Sequence, residues 1–246
     1  MGEKMAEIDH RFLQIFKDFE FVKAKGTCEK HGDFESNIFK GSGDVPKCPL
    51  CEAEKEAQKE RKAYEITLRN KGIRARFFNE NFTTYNCENE RQTKIIQTLQ
   101  TLIDTKQNTS VLLYGTSGTG KTHLLSSAVK AFYGKAFYTT WQELDLILRS
   151  TYKQDARKSE YDVLQSLIDL DFLAIDEIEK ASDTENKVQK LSLLFRERYE
   201  NVKPTWLAGN CTVDWIKTNI DPAVIDRLRE NGTSFCFDWK SYRSGK

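Results

Sequence analysis

Eight residues constrain this chain more than any others: Gly115-Thr116-Ser117-Gly118-Thr119-Gly120-Lys121-Thr122. They follow a short apolar run, Val111-Leu112-Leu113-Tyr114, and open a helical pattern over Thr122–Tyr133 that Gly134 closes. Gly-x4-Gly-Lys-Thr between a buried strand and an apolar-faced helix has the spacing and the context of a P-loop. Glycines at 115, 118 and 120 let backbone amides turn inward with no Cβ in the way. The helix N-terminus adds partial positive charge. Such a loop cradles phosphates, with Lys121 reaching the β- and γ-phosphates of a nucleotide and Thr122 ligating Mg²⁺. A plain Gly/Ser/Thr-rich turn would not need both flanking elements.

A second apolar strand, Phe172-Leu173-Ala174-Ile175, ends in Asp176-Glu177. An acid at the end of a buried strand lies at the sheet's carboxyl edge, where Asp176 is predicted to hold Mg²⁺. Glu177 is placed to polarise an attacking water as general base. Paired acids here favour ATP hydrolysis over nucleotide-kinase or GTPase chemistry. A third strand, Thr205 to Gly209, ends in Asn210, whose amide is predicted to bond the attacking water or a γ-phosphate oxygen. Asn at a strand end is also ordinary turn chemistry. The order of the three motifs favours the functional reading.

The remaining pattern alternates helices and strands from about Asn89 onward. Gln92–Thr105 carries Ile95, Ile96, Leu99, Leu102 and Ile103 on one helical face. Strands are expected at Phe137–Thr140 and Ser234–Phe237, and helices at Gln142–Arg149, Tyr161–Leu170 and Lys187–Asn201. A further helix opens at Asp221-Pro222 and closes at Gly232. Short continuous apolar strands between helices predict an α/β fold, a parallel sheet covered on both faces. Hydrophobic residues make up 39% of the chain. No apolar run approaches the roughly 20 residues that a bilayer span requires. The charged start, Met1 to Glu7, lacks the apolar core of a signal peptide, so a cytoplasmic protein without membrane contact is expected. With 38 basic and 37 acidic residues the net charge is +1, so any nucleic-acid contact must come from a local patch.

Ahead of this domain lie three shorter features. Phe12, Ile15, Phe16, Phe19 and Val22 recur at helical spacing and predict a helix over residues 8–24. Cys28-x2-His31 and Cys48-x2-Cys51 are separated by the 16 residues from Gly32 to Lys47. That paired spacing fits a closed, structural Cys₃His zinc site. So small a segment needs a metal to fold. Cys87, Cys211 and Cys236 fall outside the pattern and read as core residues. Residues 52–71 mix helix formers with opposite charges and read as a solvated connecting helix ended by Gly72. The expected division is therefore 1–51 (helix and zinc module), 52–71 (charged linker helix) and 72–246 (nucleotide-binding domain).

Lys121-Thr122-His123-Leu124 extends the loop to Gly-Lys-Thr-His-Leu and resembles the initiator branch of the AAA+ ATPases. This extension adds His123 to the nucleotide-binding set. Val224-Ile225-Asp226-Arg227-Leu228-Arg229, followed by Phe237-Asp238-Trp239-Lys240-Ser241-Tyr242-Arg243, is similar to the end of the bacterial replicative helicase loaders, the DnaC family. Gly72-Ile73-Arg74-Ala75-Arg76-Phe77 is similar to the start of that domain. The resemblance spans roughly residues 70–243 and implies an AAA+ P-loop NTPase without a C-terminal helical lid. It implies a loader that uses ATP to place a hexameric replicative helicase (DnaB-type) on single-stranded DNA, through self-association into an open ring or spiral. Arg227 looks like the arginine that enters a neighbour's ATP site. Arg229 lies about 200° away on a helix, so at most one of the two faces a given phosphate. Arg243 is a candidate sensor. Arg149, Tyr152, Lys153, Arg157 and Lys158 are candidates for single-stranded DNA contact, or a solvated charged face. The N-terminal helix or the zinc module would grip the helicase. A phage or prophage origin fits the same likeness. Two rivals remain: a transposition helper ATPase acting on duplex DNA, and a nucleotide-gated DNA-binding adaptor that does not hydrolyse.

Overall fold

A computed structural model describes residues 20–153, 155–183 and 185–243. The chain forms two units, 1–64 and 65–246. The division falls inside a helix, α1 (Pro49–Asn70), which starts ahead of the position expected from charge patterning alone.

In the first unit, β1 (Phe21–Cys28) and β2 (Gly32–Phe39) form an antiparallel hairpin in which Cys28 faces Gly32 and Phe21 faces Phe39. The expected helix over 8–24 is corrected here. Its first part lies outside the described residues, and Val22 belongs to β1. Along β1 exposure alternates residue by residue, with Val22, Ala24, Gly26 and Cys28 half-buried and Phe21, Lys23, Lys25 and Thr27 exposed. That is a period of two, not 3.6; Val22 fits both spacings. After the hairpin, α1 is held by its own composition: Ala, Glu, Lys, Gln and Arg dominate it. Exposed pairs such as Lys55–Glu52 (3.0 Å) add little.

The second unit is a five-stranded parallel sheet in the order β4-β5-β6-β3-β7. Its strands are β3 (Ser110–Gly115), β4 (Ala136–Thr140), β5 (Phe172–Asp176), β6 (Thr205–Gly209) and β7 (Gly232–Phe237). The helices are α2 (Glu90–Asp104), α3 (Lys121–Ala131), α4 (Trp141–Ser150), α5 (Glu160–Ile168), α6 (Glu185–Glu200), α7 (Val213–Asn219) and α8 (Pro222–Asn231). Successive strand residues go to opposite faces. Val111, Leu113, Phe172, Ala174, Trp206 and Ala208 join one buried cluster with α2 and α3. Leu112, Leu173, Ile175 and Leu207 join another with α4 to α8. Both faces are covered, so β5 and β6 are buried along their whole length, whereas edge strand β7 keeps Ser234 exposed.

Gly232 ends α8 as expected and also opens β7, which therefore starts two residues ahead of the expected Ser234 and pairs with Ser110 at the start of β3. Helix α7 and the single turns at Ala75–Phe77, Phe82–Thr84 and Ile178–Asp183 carry too few residues to show a period.

Gly72 ends α1 with φ +79°, where a Cβ would stand 1.9 Å from the Tyr138 carbonyl oxygen. The close approach lets the Tyr138 amide donate to the Lys71 carbonyl (2.8 Å), which covers part of edge strand β4. A fully buried arginine, Arg198, donates to the carbonyls of Leu167, Leu170 and Pro204 (2.7–2.8 Å) and to Thr205 Oγ1 (2.8 Å). It binds α6 to the end of α5 and the start of β6. Among the described residues no helix is long and apolar enough to cross a membrane.

Candidate nucleotide site and metal centre

The carboxyl ends of β3, β5 and β6 meet at one cleft of about 550 Å³. Crevices at the carboxyl edge of an open parallel sheet are where ligands bind in α/β proteins. Ser117, Gly118, Thr119, Gly120, Lys121, Thr122, His123, Asp176, Glu177, Asn210 and Arg243 all line it. The motifs read separately in the sequence therefore converge.

The loop's shape comes from its glycines. Gly118 has φ +79° and Gly120 φ +91°, both left-handed. A Cβ on Gly118 would lie 1.9 Å from Ser241 Oγ, and one on Gly120 would lie 2.4 Å from the Tyr85 ring. The loop is thus packed from two sides by distant parts of the chain. Tyr85 donates its hydroxyl to the Thr119 carbonyl (2.6 Å). The Tyr242 amide donates to the Gly118 carbonyl (2.9 Å), its hydroxyl to the Asn86 carbonyl (2.7 Å), and its ring meets Tyr85 edge-on. Burial pushes the Tyr85 phenol well up, so it remains a donor. Gly115 lies beneath the cleft against Phe237. The Thr116 side chain turns to the Phe237 and Trp239 carbonyls (3.1 and 3.2 Å) and does not line the cleft.

Lys121 is 5% exposed and donates to the carbonyls of Gly115 (3.0 Å) and Thr116 (2.6 Å). Burial lowers its pKa. A desolvated amine at the loop's mouth gains strongly from an anionic partner. Asp176 is 4% exposed, and burial raises its carboxyl. Three donors oppose that shift: Thr122 Oγ1 (2.6 Å) and Tyr138 OH (3.1 Å) on Oδ2, and the Glu177 amide (2.8 Å) on Oδ1. Glu177 takes a left-handed backbone, φ +57°, a strain of about 1–3 kcal/mol. Burial, then Asp176, then Glu179 raise its carboxyl, the direction a general base requires. A hydroxyl beside a carboxylate, opposite a lysine and an amide-lined loop, suits a hard divalent cation with a triphosphate.

The structure also places residues the sequence did not single out. Tyr138 comes from β4, whose pattern marks it only as apolar. Glu179 accepts from the Asn210 amide N–H (3.0 Å) and from Asn210 Nδ2 (3.2 Å). His123 lines the cleft but engages the segment before α2: its Nε2 meets the Asn81 carbonyl (2.8 Å), and its ring packs on Tyr85. Arg227 lies elsewhere, in a shallow hollow with Tyr199, Glu200, Asp226 and Glu230. Its guanidinium meets Glu200 (3.2 Å) and covers the Tyr199 ring, while the exposed Arg229 pairs with Asp226 (3.3 Å). Of the candidate DNA contacts, Arg149 pairs with Asp145 (2.9 Å), and the Tyr152 hydroxyl bonds Glu160 and Lys190.

In the first unit, Cys28, His31, Cys48 and Cys51 come together, their ligand atoms all within 4.8 Å of one another. His31 Nδ1 lies 3.8, 3.5 and 3.4 Å from the three sulfurs, and Cys28 and Cys51 Sγ are 3.5 Å apart. A tetrahedral zinc with Zn–S of about 2.3 Å and Zn–N of about 2.0 Å needs ligand separations of roughly 3.5–3.8 Å. Glu54 Oε1 stands 3.3 Å from His31 Nε2, the outer ring nitrogen, as orienting carboxylates do beside metal-bound histidines. Amides of Lys30 and His31 lower the Cys28 thiol to about 6, toward the thiolate that metals bind.

A parallel sheet with a P-loop after β3, paired acids after β5 and an amide after β6 defines an AAA+ ATPase. Residues 49–245 match the family of IstB-like ATP binding proteins, and the chain belongs to it. The replicative helicase loader DnaC of Buchnera aphidicola subsp. Acyrthosiphon pisum is 28% identical over 195 residues, 75% of this chain and 78% of that protein. A crystal structure of the DnaC helicase loader superposes with a TM-score of 0.58 at 20% identity, over 67% of this chain and all of that one. A DNA replication initiation factor gives a TM-score of 0.57 at 15% identity, over 66% of this chain and half of that longer one.

Proposed function

We propose that this chain is an ATP-dependent loader of a hexameric replicative helicase, acting at single-stranded DNA. The observation that carries the reading is the separation of Arg227 from an otherwise assembled ATPase centre. P-loop, acids and amide share one cleft; the arginine that would neutralise γ-phosphate charge sits on α8 outside it. A second copy supplies it, so ATP binding and assembly are linked. Thr122 and Asp176 would hold Mg²⁺, which would supply charge neutralisation at the phosphates. Lys121 and the loop amides bind the phosphates, Glu177 receives the proton of the attacking water, and Asn210 positions that water. Cys28, His31, Cys48 and Cys51 hold a structural zinc that keeps the hairpin folded, and the N-terminal unit grips the helicase. The loader-named relative that shares most of this domain supports the partner assignment.

Mixing the protein with the replicative helicase of its source organism, ATP and circular single-stranded DNA tests this. The expected outcome is a complex and helicase deposited on the circle, both lost in Lys121→Ala. Absence of complex and loading refutes it. A transposition helper is the second reading, because the matched family is not defined by loaders. Preference for duplex over single-stranded DNA selects that reading.

A further inference from the structure

Three acids crowd the start of the segment after β5: Asp176, Glu177 and Glu179. The first two have roles in the ATPase reading above; the third has none. Glu179 lines the same cleft and is clamped to Asn210 at two points. Oε2 accepts the Asn210 backbone N–H at 3.0 Å, and Oε1 accepts Asn210 Nδ2 at 3.2 Å. Gly209 makes the clamp possible: a Cβ there would lie 3.0 Å from Glu179 Oε2 and 2.8 Å from Ile178 Cγ1.

The chemistry of the clamp fixes which way the amide faces. An ionised carboxylate only accepts hydrogen bonds, so the atom of Asn210 beside it must be the NH₂ group. Oδ1 is then the part of the amide left to offer to the cleft that Asn210 lines. An amide at this strand end can serve hydrolysis in two ways. It can donate to a γ-phosphate oxygen, or it can accept from the attacking water. Glu179 takes one of the two Nδ2 protons, and what the clamp fixes is the side of the amide on which Oδ1 lies, which sets up the second way.

We propose that Glu179 is a positioning residue that locks Asn210 with its acceptor toward the cleft, so that Asn210 Oδ1 orients the attacking water. The inference rests on the cleft being an ATPase centre. The water gives one hydrogen bond to Asn210 Oδ1 and its other proton to Glu177. Its oxygen bonds to the γ-phosphorus as the bond to the bridging oxygen breaks, so ATP and water yield ADP, phosphate and a proton. Without Glu179 the amide is free to flip, so the water loses its fixed acceptor while Lys121 and the loop amides still bind ATP.

The test uses the full chain and measures kcat, ATP affinity by equilibrium titration and thermal stability for Glu179→Ala, Glu179→Gln, Asn210→Ala and the double variant Glu179→Ala/Asn210→Ala. Glu179→Ala is expected to lower kcat at least about tenfold, the scale of an unsupported orienting group, with ATP affinity unchanged or tighter. Glu179→Gln keeps the shape and one acceptor, and is expected to fall between wild type and Glu179→Ala while remaining folded. The double variant is expected to be no slower than Asn210→Ala, because both changes remove one device. Normal kcat in both Glu179 variants overturns the proposal, as does a double variant in which the two losses multiply. So does a loss of ATP affinity that matches the loss of kcat. Lys121→Ala run alongside separates the two readings: if it leaves hydrolysis intact, the ATPase assignment of the cleft itself fails.

Discussion

Replacing Tyr138 by Phe removes one oxygen from a buried carboxylate's surroundings and little else. Tyr138 is 2% exposed, so the phenyl ring keeps its packing. What goes is the hydroxyl that donates to Asp176 Oδ2 at 3.1 Å. A hydrogen bond to a charged acceptor contributes about 1.5–3 kcal/mol. Asp176 retains Thr122 Oγ1 at 2.6 Å and the Glu177 amide at 2.8 Å, so it is weakened and not orphaned. For a domain of this size that loss lowers Tm by about 3–12 °C. The functional effect is separate. When the Thr122 hydroxyl turns to a metal ion, Tyr138 is the remaining side-chain hydroxyl holding the carboxylate's orientation. Losing an outer-shell partner of this kind costs about 10–100-fold in metal affinity or activity. The assay is ATPase rate against Mg²⁺ concentration at saturating ATP, with a nucleotide-free thermal melt of the same preparation. The expected result is a Mg²⁺ half-saturation raised about tenfold and a lower Tm. A Tyr138→Phe protein identical to wild type in both would refute the reasoning.

The purified chain is expected to carry one zinc ion, measured by atomic absorption. Structural zinc supplies roughly 10–16 kcal/mol of apparent binding free energy, whereas an isolated hairpin is marginal. Chelation or His31→Ala should therefore open residues 20–64 to protease while ATP binding persists, and metal-free protein resistant to protease would count against the site. Arg198→Met keeps the apolar stem but strands carbonyls of Leu167, Leu170 and Pro204. It should destabilise by about 3 kcal/mol or more in urea melts, and a loss within about 0.5 kcal/mol, as at an ordinary surface site, would contradict that accounting. Arg227→Ala alone should hydrolyse slowly, but mixing it with Lys121→Ala should restore turnover, because one copy then offers an intact cleft and the other an intact arginine. Failure of the mixture to exceed the sum of its parts would remove the arginine from the active assembly.

How much of this was legible depended on whether a feature is local. The phosphate loop, the acids at the end of β5 and the Cys₃His cluster are set by spacing along the chain, and the structure brings the members of each together. The sheet was legible because short, mostly apolar runs alternate with helical patterns, as in a parallel sheet covered on both faces. Tyr85, Tyr138 and Glu179 were not, since each acts on a group supplied by another element and its own neighbours mark it only as aromatic or charged. Arg198 was hidden for the opposite reason. On a helix of mixed charges it reads as solvated, yet it is fully buried against carbonyls from α5 and β6. The hairpin was misread because Val22 satisfies a helical spacing carried over from residues before it.

The local motif also underdescribes the cleft's energetics. Burial and then Glu179 make Asp176 harder to ionise, and burial, Asp176 and Glu179 do the same to Glu177. Glu177 adds a left-handed backbone without glycine's freedom. An isolated chain segment would not adopt this arrangement. It persists because donors arrive from elsewhere: Thr122 from α3, Tyr138 from β4 and Asn210 from the end of β6. The sheet thus holds together a concentration of acidic groups that a bound divalent cation relieves. Ligand binding and fold stability are therefore coupled through the same carboxylates. The coupling follows from the meeting of three strands' ends, and the Gly-Lys-Thr signature alone could not have supplied it.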